Sequence, residues 1–199
     1  MSEPAVDAWT PFLFGKLPAH GDFVCRGLAA GAQAAWDEWA QASLRSSREA
    51  LNEALDEAHD FAPSILFICA PTPRAEGWCC GAIAASIDAV GRRFVAVVGL
   101  QGLSSSEALL LGAGIAELAE SAIRAALVER LTADATVALM EDSLPQKHRA
   151  AAASLDLDTA MFGLWWRTDG GDIDKRMDAP PHLVTRPLVP PDGLENAPA

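Results

Sequence analysis

Apolar positions along the chain recur with two different periods, and the switches between them mark out the secondary structure. Phe12, Leu13 and Phe14, set between Pro11 and Gly15, read as a short strand. Trp36, Trp39, Ala40, Leu44, Leu51 and Leu55 follow at helical spacing, with Asp37, Glu38, Arg45, Glu49, Asn52, Glu53 and Asp56 largely opposite, which predicts one long amphipathic helix. Pro63 closes that region. The continuous run Ser64 to Ala70 (SILFICA) is the pattern of a strand buried on both faces. Trp78 to Ile87 and Phe94 to Leu100, joined across Asp88, Ala89, Val90 and Gly91, predict an antiparallel hairpin. Ser104 and Glu107 form a capping-box signature, and the Ala- and Leu-rich helix it opens extends through Arg130. A further helical piece is expected near Thr136 to Met140, another over part of Pro145 to Asp158, a strand over Phe162 to Thr168, and an edge strand over His182 to Arg186.

This order of elements predicts a single α+β domain with a largely antiparallel sheet of five or six strands covered by two long helices. The domain is expected to occupy residues 1–187. The proline-rich, acid-containing tail, residues 188–199, is expected to remain extended, because it has too little apolar surface to offset the entropy of ordering.

One residue breaks the helical pattern. At 100° per residue, Arg48 falls among Leu44, Leu51 and Leu55, on the face expected to be buried, where a guanidinium needs an anion. Asp22 and Asp88 are the candidate carboxylates. The alternative is a snorkelling side chain whose stem packs while its head reaches water.

Composition narrows the class of function. In 199 residues, 50% are apolar, enough for a sizeable core, and the formal charge of −12 repels nucleic acid and anionic membrane surfaces. The acidic N-terminus has neither the basic region nor the apolar run of a signal peptide, and no apolar stretch is long enough for a transmembrane helix, so a cytoplasmic location is expected. Cys25, Cys69, Cys79 and Cys80 form no C-x-x-C pair. They are expected to be buried thiols, with Cys79 and Cys80 on opposite faces of a strand, and neither a metal nor a cofactor is expected.

The densest chemistry lies in GKLPAHGDFVCRG, Gly15 to Gly27. Pro18 and three glycines predict an irregular loop in which Leu17, Phe23 and Val24 anchor while Lys16, His20, Asp22 and Arg26 are displayed. His20 and Asp22 either cap and bridge a turn, or pair as base and orienter in a small hydrolase whose nucleophile is Ser86 or Cys25. No nucleophile elbow or zincin helix accompanies them, which leaves a recognition loop as the third reading. Ser86, Asp88, Arg92 and Arg93 cluster at the hairpin tip, as a solvated turn or as a polar surface beside this loop. Trp165 and Trp166 alternate in direction on their strand, so that one fills the core while the other is partly exposed unless a helix covers it.

Several of these blocks occur together in one known family. GKLPAHGDFVCRGL (Gly15 to Leu28), WDEW and SSR of the first long helix (Trp36 to Trp39, Ser46 to Arg48), SIDAVGRRF (Ser86 to Phe94) and LWWRTDGG (Leu164 to Gly171) resemble, in this order, the TagF family, also called ImpM, which is associated with bacterial type VI secretion. The resemblance spans about residues 11 to 187. This chain differs in a shorter connection between the first helix and Ser64 and in Phe61-Ala62-Pro63, where a Trp-Arg-Phe stretch is typical. The resemblance implies a cytoplasmic, non-enzymatic regulator that restrains type VI secretion after translation by engaging a forkhead-associated scaffold protein of the threonine-phosphorylation pathway. Lys16, His20, Asp22, Arg26, Arg48, Ser86, Asp88, Arg92, Trp165 and Trp166 are then the candidate binding or motif residues.

Removal of residues 188–199 is expected to leave the melting temperature unchanged. A fall of more than roughly 5 °C on truncation would show that the tail docks on the domain.

Overall fold

A computed structural model describes residues 9–144, 163–170 and 174–175. The apolar runs form one antiparallel sheet with strand order β2-β1-β5-β4-β3-β6-β7 among the described residues. Its centre is the hairpin of β4 (Trp78–Ile87) and β5 (Arg93–Leu103), flanked by β1 (Thr10–Gly15) and β3 (Ile65–Cys69). Beyond these lie β2 (Val24–Arg26) next to β1, and β6 (Gly163–Arg167) and β7 (Asp174–Lys175) next to β3. The architecture is the single α+β domain that the pattern predicted. The sheet reaches seven strands because β2 and β7, three and two residues long, are too short to show a periodicity.

Each face of the sheet buries its own core. On one face Phe12, Phe67, Ile83, Val95 and Val97 pack against Trp36, Trp39 and Ala40 of α1 (Ala30–Leu51). Trp36 is the hub. Its ring lies 6.4 Å from Phe12, 5.9 Å from Phe67 and 5.6 Å from Trp39, and its Nε1 donates to the Arg74 carbonyl at 3.0 Å. On the other face Leu13, Ile68, Cys80, Ala82, Val98 and Leu100 meet Ile115, Ala119 and Ile123 of α3 (Ser105–Glu129) and Met140 of α4 (Ala133–Ser143). The capping box opens α3 as expected, with Ser104 and Glu107 bonding reciprocally. Because the sheet is covered on both sides, both tryptophans of β6 are structural. Trp165 stacks on Phe67 at 5.1 Å, whereas Trp166, half-buried, packs into the α3-side core. Cys79 and Cys80 likewise divide between the two cores.

The first long helix is not continuous. Asn52 takes a positive φ of 45°, a 3-10 turn covers Asn52–Ala54, and α2 (Leu55–Asp60) begins in a new phase. A stripe extrapolated from Leu44 to Leu55 therefore crosses a break. The buried stripe of α1 is Ala32, Trp36, Trp39, Ala40, Ser43 and Ser47, one position earlier, with the Ser47 hydroxyl donating to the Ser43 carbonyl at 2.9 Å. Arg48, expected on the buried face and paired with Asp22 or Asp88, is instead exposed, with no ion-pair partner among the described residues. The expected helix in Pro145 to Asp158, the strand at His182 to Arg186 and the tail 188–199 lie outside the described residues.

Where β4 and β5 cross beneath the aromatic layer, Gly81 pairs with Gly99. A Cβ at Gly81 would sit 2.3 Å from the Val98 carbonyl oxygen and 2.9 Å from the Phe67 ring. Gly81→Val should therefore overpack the layer and cost about 1–3 kcal/mol in denaturant unfolding. An unchanged midpoint with unchanged tryptophan fluorescence would show that the layer yields.

Candidate functional site: a polar loop bolted to a hairpin tip

The Gly15–Gly27 segment runs from the end of β1 across the top of the sheet and back as β2. Its turning points are fixed by backbone. Gly15 (φ 122°) and Gly27 (φ 68°) lie so close to the Val95 and Pro11 carbonyl oxygens that a Cβ would come within 2.0 and 2.1 Å of them. Lys16 N–H then donates to the Val95 carbonyl, which carries the chain from the ladder into the loop. Gln101 holds the far end, donating from Nε2 to the Gly27 carbonyl at 2.5 Å. Nothing in the sequence pattern singled out Gln101.

The loop is joined to the β4–β5 turn through one carboxylate. Asp88 is 1% exposed, and its oxygens accept from Val90 N at 3.1 Å, Arg92 N at 2.9 Å, Lys16 Nζ at 2.9 Å and Arg92 Nε at 2.5 Å. The two backbone donors shape the turn, and the two cations tie it to β1 and to its own return strand. Burial alone would raise the Asp88 carboxyl, but hydrogen bonds from Arg92, Lys16 and Val90 outweigh it and hold the group well below the usual carboxylate range. Around this pair the contacts multiply. Ser86 Oγ donates to the Lys16 carbonyl at 2.6 Å, Ala89 N to the His20 carbonyl at 2.7 Å, and Arg92 Nη2 to the Gly21 carbonyl at 2.6 Å. The Lys16 ammonium also lies over the Phe23 ring at 4.9 Å and the Phe94 ring at 5.9 Å.

The expected division of anchors and displayed groups is therefore partly inverted. Leu17 and Val24 anchor as predicted, but Lys16 is buried and Phe23, packed edge-on against Phe94, is 47% exposed. Ser86 and Asp88 are buried as well, whereas Ala89 to Arg92 at the tip are exposed. The tip lies beside the loop, as the reading of a polar surface there had it, with Ser86 and Asp88 as its buried base.

The groups of the hydrolase reading all have structural partners. His20 Nε2 accepts from Ala133 N at 2.9 Å, which satisfies the first free N–H of α4 and places the ring proton on Nδ1; Thr132 Oγ1 accepts from Ala135 N beside it. Asp22 Oδ1 accepts from Phe23 N at 2.8 Å, and the Ser86 hydroxyl is given to the Lys16 carbonyl. Burial pushes the Cys25 thiol up, against the pull of the Leu28 backbone and Arg26. Arg26 forms a two-pronged pair with Asp134 in the first turn of α4, and Arg130 Nη2 donates to the Pro18 carbonyl at 2.7 Å. Thr132, Asp134 and Arg130 were not foreseen as part of the site, although Thr132 carried an ordinary N-cap signal. Arg48, Trp165 and Trp166 take no part in this junction. No group of three or more His, Cys, Asp or Glu among the described residues is placed to hold a metal. No helix among them is long and apolar enough to cross a membrane.

The family model described as TagF N-terminal domain, Type VI secretion system-associated, matches residues 13–146. The chain belongs to this family. The TagF match contains the whole junction, from Lys16 to Asp134, and leaves Trp165 and Trp166 outside. The structure is similar to the crystal structure of PA0076 from Pseudomonas aeruginosa PAO1, with a TM-score of 0.69 and 24% identity over 88% of this chain and 91% of that one, a likeness of fold. No curated protein matches the sequence.

The depressed Asp88 carboxyl makes a signed prediction. A folded-state value below the unfolded one contributes stability that is complete above the unfolded carboxylate value of about 4 and is lost as pH falls toward the folded value. Asp88→Asn should lower the melting temperature at neutral pH and flatten its decline between about pH 5 and about pH 2. Parallel declines in variant and parent would assign the acid sensitivity to other carboxylates.

Proposed function

We propose that the loop and hairpin tip form a protein-recognition surface through which this TagF-family protein binds a forkhead-associated scaffold protein and restrains type VI secretion after translation, acting in the cytoplasm and without catalysis. One observation carries the reading. Two large apolar side chains, Phe23 at 47% and Val90 at 72% exposure, are held out by segments locked together through buried Asp88. Exposed apolar groups on a rigid frame lose little freedom on binding, so their burial is available to a partner. Ile87 and Phe61 are exposed at the same end of the sheet and extend the apolar area.

The absence of catalysis is supported by where the reactive groups are spent. A base must be within reach of a nucleophile, and here His20, Ser86 and Asp22 each direct their polar atoms to backbone groups. The formal charge of −12 also suits a protein partner better than a nucleic acid.

In calorimetric titration with the purified scaffold protein, Phe23→Ala combined with Val90→Asp should weaken binding at least about tenfold, equivalent to ~1.4 kcal/mol, with the variant still folded at the titration temperature although loss of the Phe23–Phe94 contact lowers its melting temperature. Unaltered affinity would move the interface away from this end of the sheet. Turnover on ester or phosphate substrates that is abolished by His20→Ala would reinstate the hydrolase.

A further inference from the structure

Two thiols meet at the last rung of the β3–β4 ladder. Cys69 closes β3 and pairs in register with Cys79, the second residue of β4, and both side chains belong to the α1-side core. The Cys79 thiol donates to the Cys69 sulfur at 3.7 Å. Directly paired residues of an antiparallel ladder have Cα atoms about 4.5 or about 5.5 Å apart, and a disulfide accepts about 4.4–6.8 Å, so the backbone already has the spacing for a bond. The other two cysteines are placed apart. Cys80 points into the core on the opposite face, and Cys25 lies in β2, separated from β4 by β1 and β5.

The rung also has room to adjust. On β5 two residues, Gln101 and Gly102, stand opposite Cys79, between the Trp78–Leu103 and Cys80–Leu100 pairs. A bulge of this kind interrupts the ladder locally and lets the start of β4 shift. Bringing the sulfurs from 3.7 Å to the roughly 2 Å of a bond therefore takes side-chain rotation and a small backbone movement. Burial, and after it the Cys79 sulfur, push the Cys69 thiol well up, so the pair rests protonated at neutral pH. Cys69, 6% exposed at a strand end, is the nearer of the two to solvent, and so apolar a setting admits a small, uncharged oxidant in preference to a charged one.

We propose that Cys69 and Cys79 form a reversible dithiol–disulfide pair, oxidised by hydrogen peroxide. One sulfur, as its thiolate, takes an oxygen from peroxide: an S–O bond forms, the O–O bond breaks, and the first water leaves. The partner sulfur then displaces the sulfenic hydroxyl as a second water and closes the S–S bond. Two thiols give up two protons and two electrons, and one peroxide becomes two waters. Exchange with a small thiol reverses the step. The bond closes a loop around Arg74, whose carbonyl accepts from Trp36 Nε1, and so pins the segment that holds the hub of the α1-side core. In the test, the folded full chain is treated with hydrogen peroxide, remaining thiols are blocked with N-ethylmaleimide in denaturant, and the peptides are mapped by mass spectrometry. The Cys69–Cys79 bond should be at least about tenfold more abundant than all other intramolecular pairings together, because these sulfurs alone share a rung. Dithiothreitol should return both residues to thiols. Recovery of both residues alkylated while Cys25 is oxidised would overturn the pair, as would bonds to Cys25 or Cys80 in comparable amount. Sulfinic or sulfonic acids at Cys69 and Cys79, which dithiothreitol cannot reduce, would overturn it equally.

Discussion

The Asp88 carboxylate is the point on which this end of the molecule depends. A buried anion is stable only if its lone pairs are met, and four donors from two chain segments meet them here: two N–H groups of its own turn, the Arg92 guanidinium and the Lys16 ammonium. Lys16 has the converse need, since an ammonium 6% exposed at the end of a strand requires an anion. Each charge makes the burial of the other tolerable, and together they fix two loops 72 residues apart in sequence. Once that register is set, Ser86, Ala89 and Arg92 add bonds to the backbone of Lys16, His20 and Gly21. The result is a frame in which Phe23 and Val90 face outward.

The remainder of the fold brings this frame into position. A sheet covered on both faces has only its edges and ends available for recognition, because its apolar surfaces are consumed by α1 on one side and by α3 and α4 on the other. The break at Asn52 also decides where α2 lies. A continuous helix would carry residues 55–60 onward along the axis of α1. The positive φ at Asn52 redirects them, so that α2 lies over the sheet with His59 buried against Phe94 and Asp60 bonded to Arg93.

The chain belongs to the TagF family, associated with type VI secretion, and the polar residues of its motif region make structural hydrogen bonds. The combination of His, Asp, Ser and Cys in one motif region has the look of an active site when read as residue types. Each of the His, Asp and Ser groups has a backbone partner that satisfies it: the first turn of α4 for His20, its own next residue for Asp22, a strand end for Ser86.

The sequence by itself determined every element whose information is local. The apolar runs of β1, β3, β4, β5 and β6, the capping box of α3 and the opposite directions of Cys79 and Cys80 follow from periods of two and 3.6 and from backbone groups within a few residues. The motif region was visible too, as was the meeting of loop and hairpin as one of two readings. Tertiary structure alone decided which charges pair. Arg48 was assigned to the buried face by carrying a helical phase through Asn52, a residue whose positive φ no pattern announces, and it lies exposed while Lys16 takes Asp88. The same holds for Gln101, Arg130 and His20, whose partners are backbone groups far away in the chain. A hydrogen bond between distant segments leaves no periodic trace in either of them, because its energy depends on where two backbones come to lie and not on the residues that flank them.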